Sequence, residues 1–205
     1  MSSLRSINQL RRKQGVRENH LAVAWQYPGQ TRQVIPAMYS RTTSLAFTCL
    51  DCGATLETWT NIDGWTIDDL RRGTENFLSA PSYTDRLWII LESQSNLGDY
   101  LGQRMKGWLK APVTANYTFW ISADDRGEFW LSTDDNPENI LLACRVPSTT
   151  PSREWKWFYH QESLPIRLVA GQAYYFEVRV LISCLLSFDL CVSMGTYCDA
   201  ALRLS

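Results

Sequence analysis

The sequence predicts an all-β fold: an antiparallel β-sandwich with one short helical turn and irregular termini. Three observations predict it. Between Asn116 and Val146 the residues alternate with period two, so that Tyr117, Phe119 and Ile121 share one face. Turn signals recur between such runs, at Asp124-Asp125-Arg126-Gly127, Asp134-Asp135-Asn136-Pro137 and Ala170-Gly171-Gln172. Nine Trp and nine Tyr suit pleated, half-buried strands. Short strands at regular spacing with turns between them make an antiparallel sandwich or barrel.

The elements follow in order. Residues 1–19 are polar and basic, with room for a frayed helix at most. His20–Trp25 (HLAVAW) is an apolar run of strand length, followed by a turn at Tyr27-Pro28-Gly29. Gln33-Val34-Ile35 resumes an extended segment that Pro36 closes. Residues 37–53 read as a linker, because Ser40, Arg41, Thr42, Thr43 and Ser44 are all polar. From Gly53, Leu56, Trp59 and Ile62 stand among Thr and Asn. Thr66-Ile67-Asp68-Asp69-Leu70 predicts a helical turn with Thr66 as its cap and Asp69 returning the bond. Residues 73–86 read as loop, and Arg86–Leu91 as a β-prone apolar run. Arg104–Leu109 alternates, with Met105, Gly107 and Leu109 opposite Lys106, Trp108 and Lys110. Asn116–Ser122, Glu128–Ser132 and Ile140–Val146 are three strands; Leu164–Val169 and Tyr174–Val180 are two more.

A net charge of −1 gives no general attraction to nucleic acid or to an anionic membrane. The longest apolar stretch, Val178–Leu190, is interrupted by Arg179, Ser183, Ser187 and Asp189, so no membrane insertion is expected. The first residues lack an unbroken apolar run, so no signal peptide is read in this chain. Six cysteines, Cys49, Cys52, Cys144, Cys184, Cys191 and Cys198, suit an oxidising compartment, but their pairing is not legible. Cys49 and Cys52 have neither a second pair nor histidines nearby, which argues against zinc.

Three segments together resemble one known family. NYTFWISADDRGEFWLSTDD at Asn116–Asp135, SREW at Ser152–Trp155 and PIRLVAGQAYYFEV at Pro165–Val178 are similar to the protective antigen fourteen-kilodalton (PA-14) domain. The version here looks most like the repeated domains of large extracellular and fibrocystin-like proteins. The resemblance runs from about Gly53 to Val178 and selects a sandwich over a barrel. It divides the chain into a basic N-terminus, 1–19; the tail of a preceding repeat plus linker, 20–52; the sandwich, 53–180; and a divergent tail, 181–205. The family's glycine-rich loop and closing strand do not follow Val178; Glu18–Gln26 resembles them instead. HLAVAW is therefore expected to fill the open sheet edge, with Val180–Leu190 as the alternative.

The resemblance implies an extracellular or cell-surface setting and a carbohydrate-binding, adhesion-type module. Glycans or other extracellular proteins are the implied partners. The alternative is a structural or protein-interaction repeat without a ligand. In sugar-binding members two adjacent aspartates hold a calcium ion that coordinates sugar hydroxyls, and Asp124 and Asp125 match them. Calcium takes about six to eight hard oxygen ligands. Neighbouring strand side chains point apart, so the pair converges only on a bent backbone, which the family achieves with a cis peptide. Asn19, in the place of the family's second loop, is the expected further metal ligand. Trp155 and Trp157 are candidates for stacking on a sugar, with core or edge packing as the competing role. Asn116-Tyr117-Thr118 is a glycosylation sequon, acting at Asn116.

Nothing in the sequence reads as an enzyme. His20 and His160 are the only histidines, and neither stands beside a nucleophile motif or in a metal-ligand spacing. Asp124 and Asp125 are adjacent on one turn and do not flank a glycosidic bond as paired catalytic carboxylates do.

Overall fold

The computed structural model describes residues 19–41, 53–95 and 97–183. They form two antiparallel sheets packed face to face, as the period-two pattern predicts. The strands are β1 (Leu21–Gln26), β2 (Gln33–Val34), β3 (Ser40–Arg41), β4 (Ala54–Thr60), β5 (Tyr83–Leu87) and β6 (Leu101–Lys110). After them come β7 (Ala115–Ala123), β8 (Arg126–Ser132), β9 (Ile140–Val146), β10 (Ile166–Leu168) and β11 (Ala173–Ile182). One helix, α1 (Ile67–Gly73), follows β4. The smaller sheet runs β10-β7-β1-β2. The larger runs β5-β4-β6-β11-β8-β9, with β3 lying on β6.

The core fills the space between the sheets. Tyr117, Phe119 and Ile121 of β7 are fully buried, the face that alternation assigned. Phe119 meets Phe129 of the larger sheet at 5.1 Å between ring centres, and Phe129 meets Phe176 at 6.3 Å. Trp25 of β1 packs on Tyr117 at 5.3 Å. Each such ring contributes about 2–3 kcal/mol by burial alone.

The segment HLAVAW lies inside this sandwich. β1 pairs with β7 from Leu21↔Ala123 to Gln26↔Thr118, and with β2 on its other side. Leu21, Val23 and Trp25 point into the core and are fully buried. Val180, Leu181 and Ile182, at the start of the rival segment, extend β11 along β6 instead.

The helical turn forms as its caps require. The Thr66 hydroxyl accepts from Asp69 N–H, and the Asp69 carboxylate accepts from Thr66 N–H at 2.8 Å. Hydrogen bonds from Thr66, Trp65 and Arg72 hold the Asp69 carboxyl far below the usual range. α1 buries Ile67 and Leu70 against Trp59, Ile62 and Leu181 on the outer face of the larger sheet. Gly102 makes room for it: a Cβ there would meet Leu70 Cδ1 at 2.0 Å.

Beside that contact the sheet carries buried and partly buried charges. Arg104 pairs with Glu57 at 2.7 Å, Lys106 with Glu57 at 2.8 Å, and Arg179 with Glu177 at 2.7 Å. The Phe77 ring lies 4.5 Å from the Arg104 guanidinium and 5.3 Å from that of Arg179. Burial, reinforced by Glu177, pushes the Tyr175 phenol far above its ordinary value.

Three local expectations need correction. Tyr83–Leu87, within the stretch read mainly as loop, is an edge strand on β4. Its outer residues are exposed and polar, so no apolar alternation announces it. The run Arg86–Leu91 splits: Leu87 ends β5, and Ile90 makes a single bridge to Pro36. The segment read as a linker holds a 3₁₀ turn, Ala37–Tyr39, and then β3, which pairs with β6 beyond the end of β4. Cys49, Cys52, Cys184, Cys191 and Cys198 lie outside the described residues, and Cys144 is a buried free thiol. Among the described residues no helix is long and apolar enough to cross a membrane.

Candidate functional site

Asp124 and Asp125 sit where the chain crosses from one sheet to the other. The sequence suggests a hairpin here, but β7 pairs in the smaller sheet and β8 in the larger, so the connection is a corner. Each sheet holds one aspartate. Asp124 N–H donates to His20 O at 3.0 Å, just before the start of β1. Asp125 N–H donates to Leu181 O at 3.4 Å, on β11. The peptide between the two aspartates is cis.

Both carboxylates converge on one point. The Thr149 hydroxyl lies 2.7 Å from Asp124 Oδ1 and 2.7 Å from Asp125 Oδ1. A hydroxyl has one proton, so it satisfies one of the two at any instant. The other oxygen of Asp125 accepts from Ser183 N–H at 2.9 Å and from the Ser183 hydroxyl at 2.5 Å. Asp124 is 1% exposed. Burial acts to raise the Asp125 pKa, but hydrogen bonds from Ser183 and Thr149 help to outweigh it and hold the carboxyl below its usual range.

The neighbouring loop is pinned in place. Thr150 N–H donates to Ala123 O at 3.0 Å, and Ala123 N–H donates to the Thr150 hydroxyl at 3.2 Å. The Ser122 hydroxyl stands 2.9 Å from His20 Nε2 and 3.1 Å from the Thr150 hydroxyl. Further along, Arg153 grips Glu92 with two bonds, at 3.1 and 2.5 Å. These bonds fix Thr149 over the aspartates.

Asn19 is buried beside the corner, next in the chain to the His20 carbonyl that Asp124 holds. Its amide nitrogen donates to Gly98 O, which leaves the amide oxygen as its acceptor. Trp155 is half-buried and Trp157 is 60% exposed. They lie in a loop and not a strand, so their alternation does not give them a common face. Asn116 lies on β7 opposite Arg167 of β10, with its side chain exposed. Sequence reasoning missed Thr149 and Ser183. Both are ordinary hydroxyl residues far from the aspartates in the chain, and no local pattern marks them.

The donor chemistry fits a hard cation. Two carboxylates converge, with the Thr149 and Ser183 hydroxyl oxygens beside them. These are hard oxygen donors of the kind that calcium prefers. Among the described residues no three His, Cys, Asp or Glu cluster together.

No protein-family model matches the chain. An alignment of 127 positions, which covers 55% of this chain, is 26% identical to mouse fibrocystin. The match spans 3% of the length of that relative. Among solved structures, the chain is similar to the A domain of epithelial adhesin 6 from Candida glabrata, in complex with Galβ1-3GlcNAc. There the sequence identity is 11% and the TM-score 0.45, over 72% of this chain and 79% of that one.

Proposed function

We propose that this chain is a PA-14-type, calcium-assisted carbohydrate-binding module of an extracellular or cell-surface protein. One observation carries the reading: the Asp124 and Asp125 carboxylates both stand 2.7 Å from a single oxygen, at the corner between the sheets. Two carboxylates meeting at one point favour a divalent cation there. Asp124 and Asp125 would hold the calcium, with Asn19 as a further ligand. The ion would supply open coordination positions for sugar hydroxyls, and Trp155 or Trp157 an apolar face for the ring. The match to fibrocystin supports this setting, and other extracellular proteins remain partners beside glycans.

A second reading has its own support. Thr149 and Ser183 already supply hydrogen bonds to the pair, as they would in a structural or protein-interaction repeat without a ligand. Calorimetric titration with calcium decides between them, with Asp125→Ala as control. Binding with a Kd of about 10⁻⁶ to 10⁻³ M, abolished by the substitution, supports the module. A cooperatively folded protein that gives no heat overturns it in favour of the repeat.

A further inference from the structure

A cavity of about 290 Å³ opens beside the aspartate corner, lined in part by Arg126, Glu128, Arg145, Pro147 and Asp68. It is built from the same two segments as the corner: β8 runs on from Asp125, and the loop after β9 leads to Thr149. A Cβ on Gly127 would meet Ala123 and Ile121 in the core. Its neighbours Arg126 and Glu128 therefore face outward, into the cavity. The volume lies near the lower end of small-molecule sites, which begin at about 300 Å³, and suits one substituted sugar ring.

The two carboxylates on its wall are engaged. Glu128 accepts from Trp130 Nε1 at 2.8 Å, and Asp68 pairs with Arg71 at 3.2 Å. The guanidinium groups are less so. Arg126 donates to the Trp65 carbonyl. Arg145 is exposed and forms no ion pair among the described residues. Thr66, Ile67 and Asp68 form the α1 side of the wall. Two guanidinium forks with donors to spare on one wall match a planar or tetrahedral anion.

We propose that this cavity is an anion subsite that takes the carboxylate or sulfate of an acidic glycan. The inference rests on the glycan reading of the neighbouring corner and names the class of sugar it would prefer. Its test has two arms. In the first, sodium sulfate is titrated without calcium and the arginine Nε–H resonances are followed by NMR, with sodium chloride at matched ionic strength as reference. Saturable shifts at Arg145 and Arg126, with the Arg126 shift lost or weakened in Arg145→Gln, support the subsite; no saturable shift overturns it. In the second, lactose, 3′-sulfolactose and a glucuronic acid disaccharide are compared with calcium present. The anionic sugar is expected to bind about tenfold tighter than lactose. Arg145→Gln should bring it to the level of lactose, whereas Asp125→Ala should abolish all three. Equal binding of neutral and anionic sugars overturns the subsite alone. A sulfate response with no sugar bound supports the anion site and overturns the glycan reading. Arg145 is exposed on an edge strand, so its variant is expected to fold, and far-UV circular dichroism checks this.

Discussion

Ser183 donates twice to one carboxylate oxygen of Asp125, from its backbone N–H at 2.9 Å and its hydroxyl at 2.5 Å. The contact joins the end of β11 to the corner between the sheets. Asp125 is held below its ordinary pKa, so the sign of its contribution is fixed. The stabilisation is fully present above the unfolded-state value, about 3.9, and is lost as pH falls through the lower folded value. Ser183→Ala removes one of the two donors to a charged group. Urea unfolding at pH 7 should show a loss of about 1–2 kcal/mol. The gap from wild type should narrow as the pH is taken below about 4; an unchanged gap would mean that Ser183 acts through packing.

Thr149 offers a test that separates the two functional readings through stability alone. Thr149→Val keeps the shape and removes the proton shared by Asp124 and Asp125. Without calcium the variant should lose about 1–3 kcal/mol, since the one proton that the two carboxylates share is gone from a largely buried site. A bound cation would offset that loss, and ligand that binds only the folded state raises Tm by mass action. Calcium should therefore raise the Tm of Thr149→Val more than that of wild type. A Tm in the variant that ignores calcium is the outcome expected of a structural repeat.

Much of the fold was legible because buried strands write their faces into the chain. Tyr117, Phe119 and Ile121 announced β7, Met105 and Leu109 announced β6, and Thr66 with Asp69 announced the helix. Edge strands write less: Thr84 and Asp85 are exposed, so β5 looked like a loop. The aspartates stood out as an adjacent pair, but their surroundings did not. Thr149 lies 24 residues from Asp125 and Ser183 lies 58, and pairings at such separation are set by sheet topology, which alternation does not reveal. The corner itself was misread as a hairpin for the same reason: Asp, Arg and Gly suit any tight reversal, whichever sheets the flanking strands join.

β1 is the strand whose removal would test the architecture most directly. Val23 is fully buried, sits opposite Ile121, and belongs to the core that both sheets share. Val23→Asp places a carboxylate where no water reaches, at a cost above about 4 kcal/mol. Size-exclusion chromatography and circular dichroism should find the variant unfolded. A folded variant of near-normal Tm would show that the sandwich closes without β1.

The buried charges on the outer face of the larger sheet make an ordered prediction. Glu177 accepts from the Arg179 Nε at 2.9 Å and from the Tyr175 hydroxyl at 2.8 Å, and lies 3.7 Å from Arg104. Its side chain and that of Arg179 are each 8% exposed. Removing one partner of such a pair costs more than the pair itself contributes, because a desolvated charge is left behind. Glu177→Ala should therefore lower stability by about 3–5 kcal/mol. Glu177→Gln keeps the volume and an acceptor oxygen, so it should cost less than Glu177→Ala. Arg104 keeps Glu57 in both variants, so its own position should hold. Urea unfolding of the two variants side by side checks the order. Equal losses would mean that the side-chain volume, and not the carboxylate, is what this face requires.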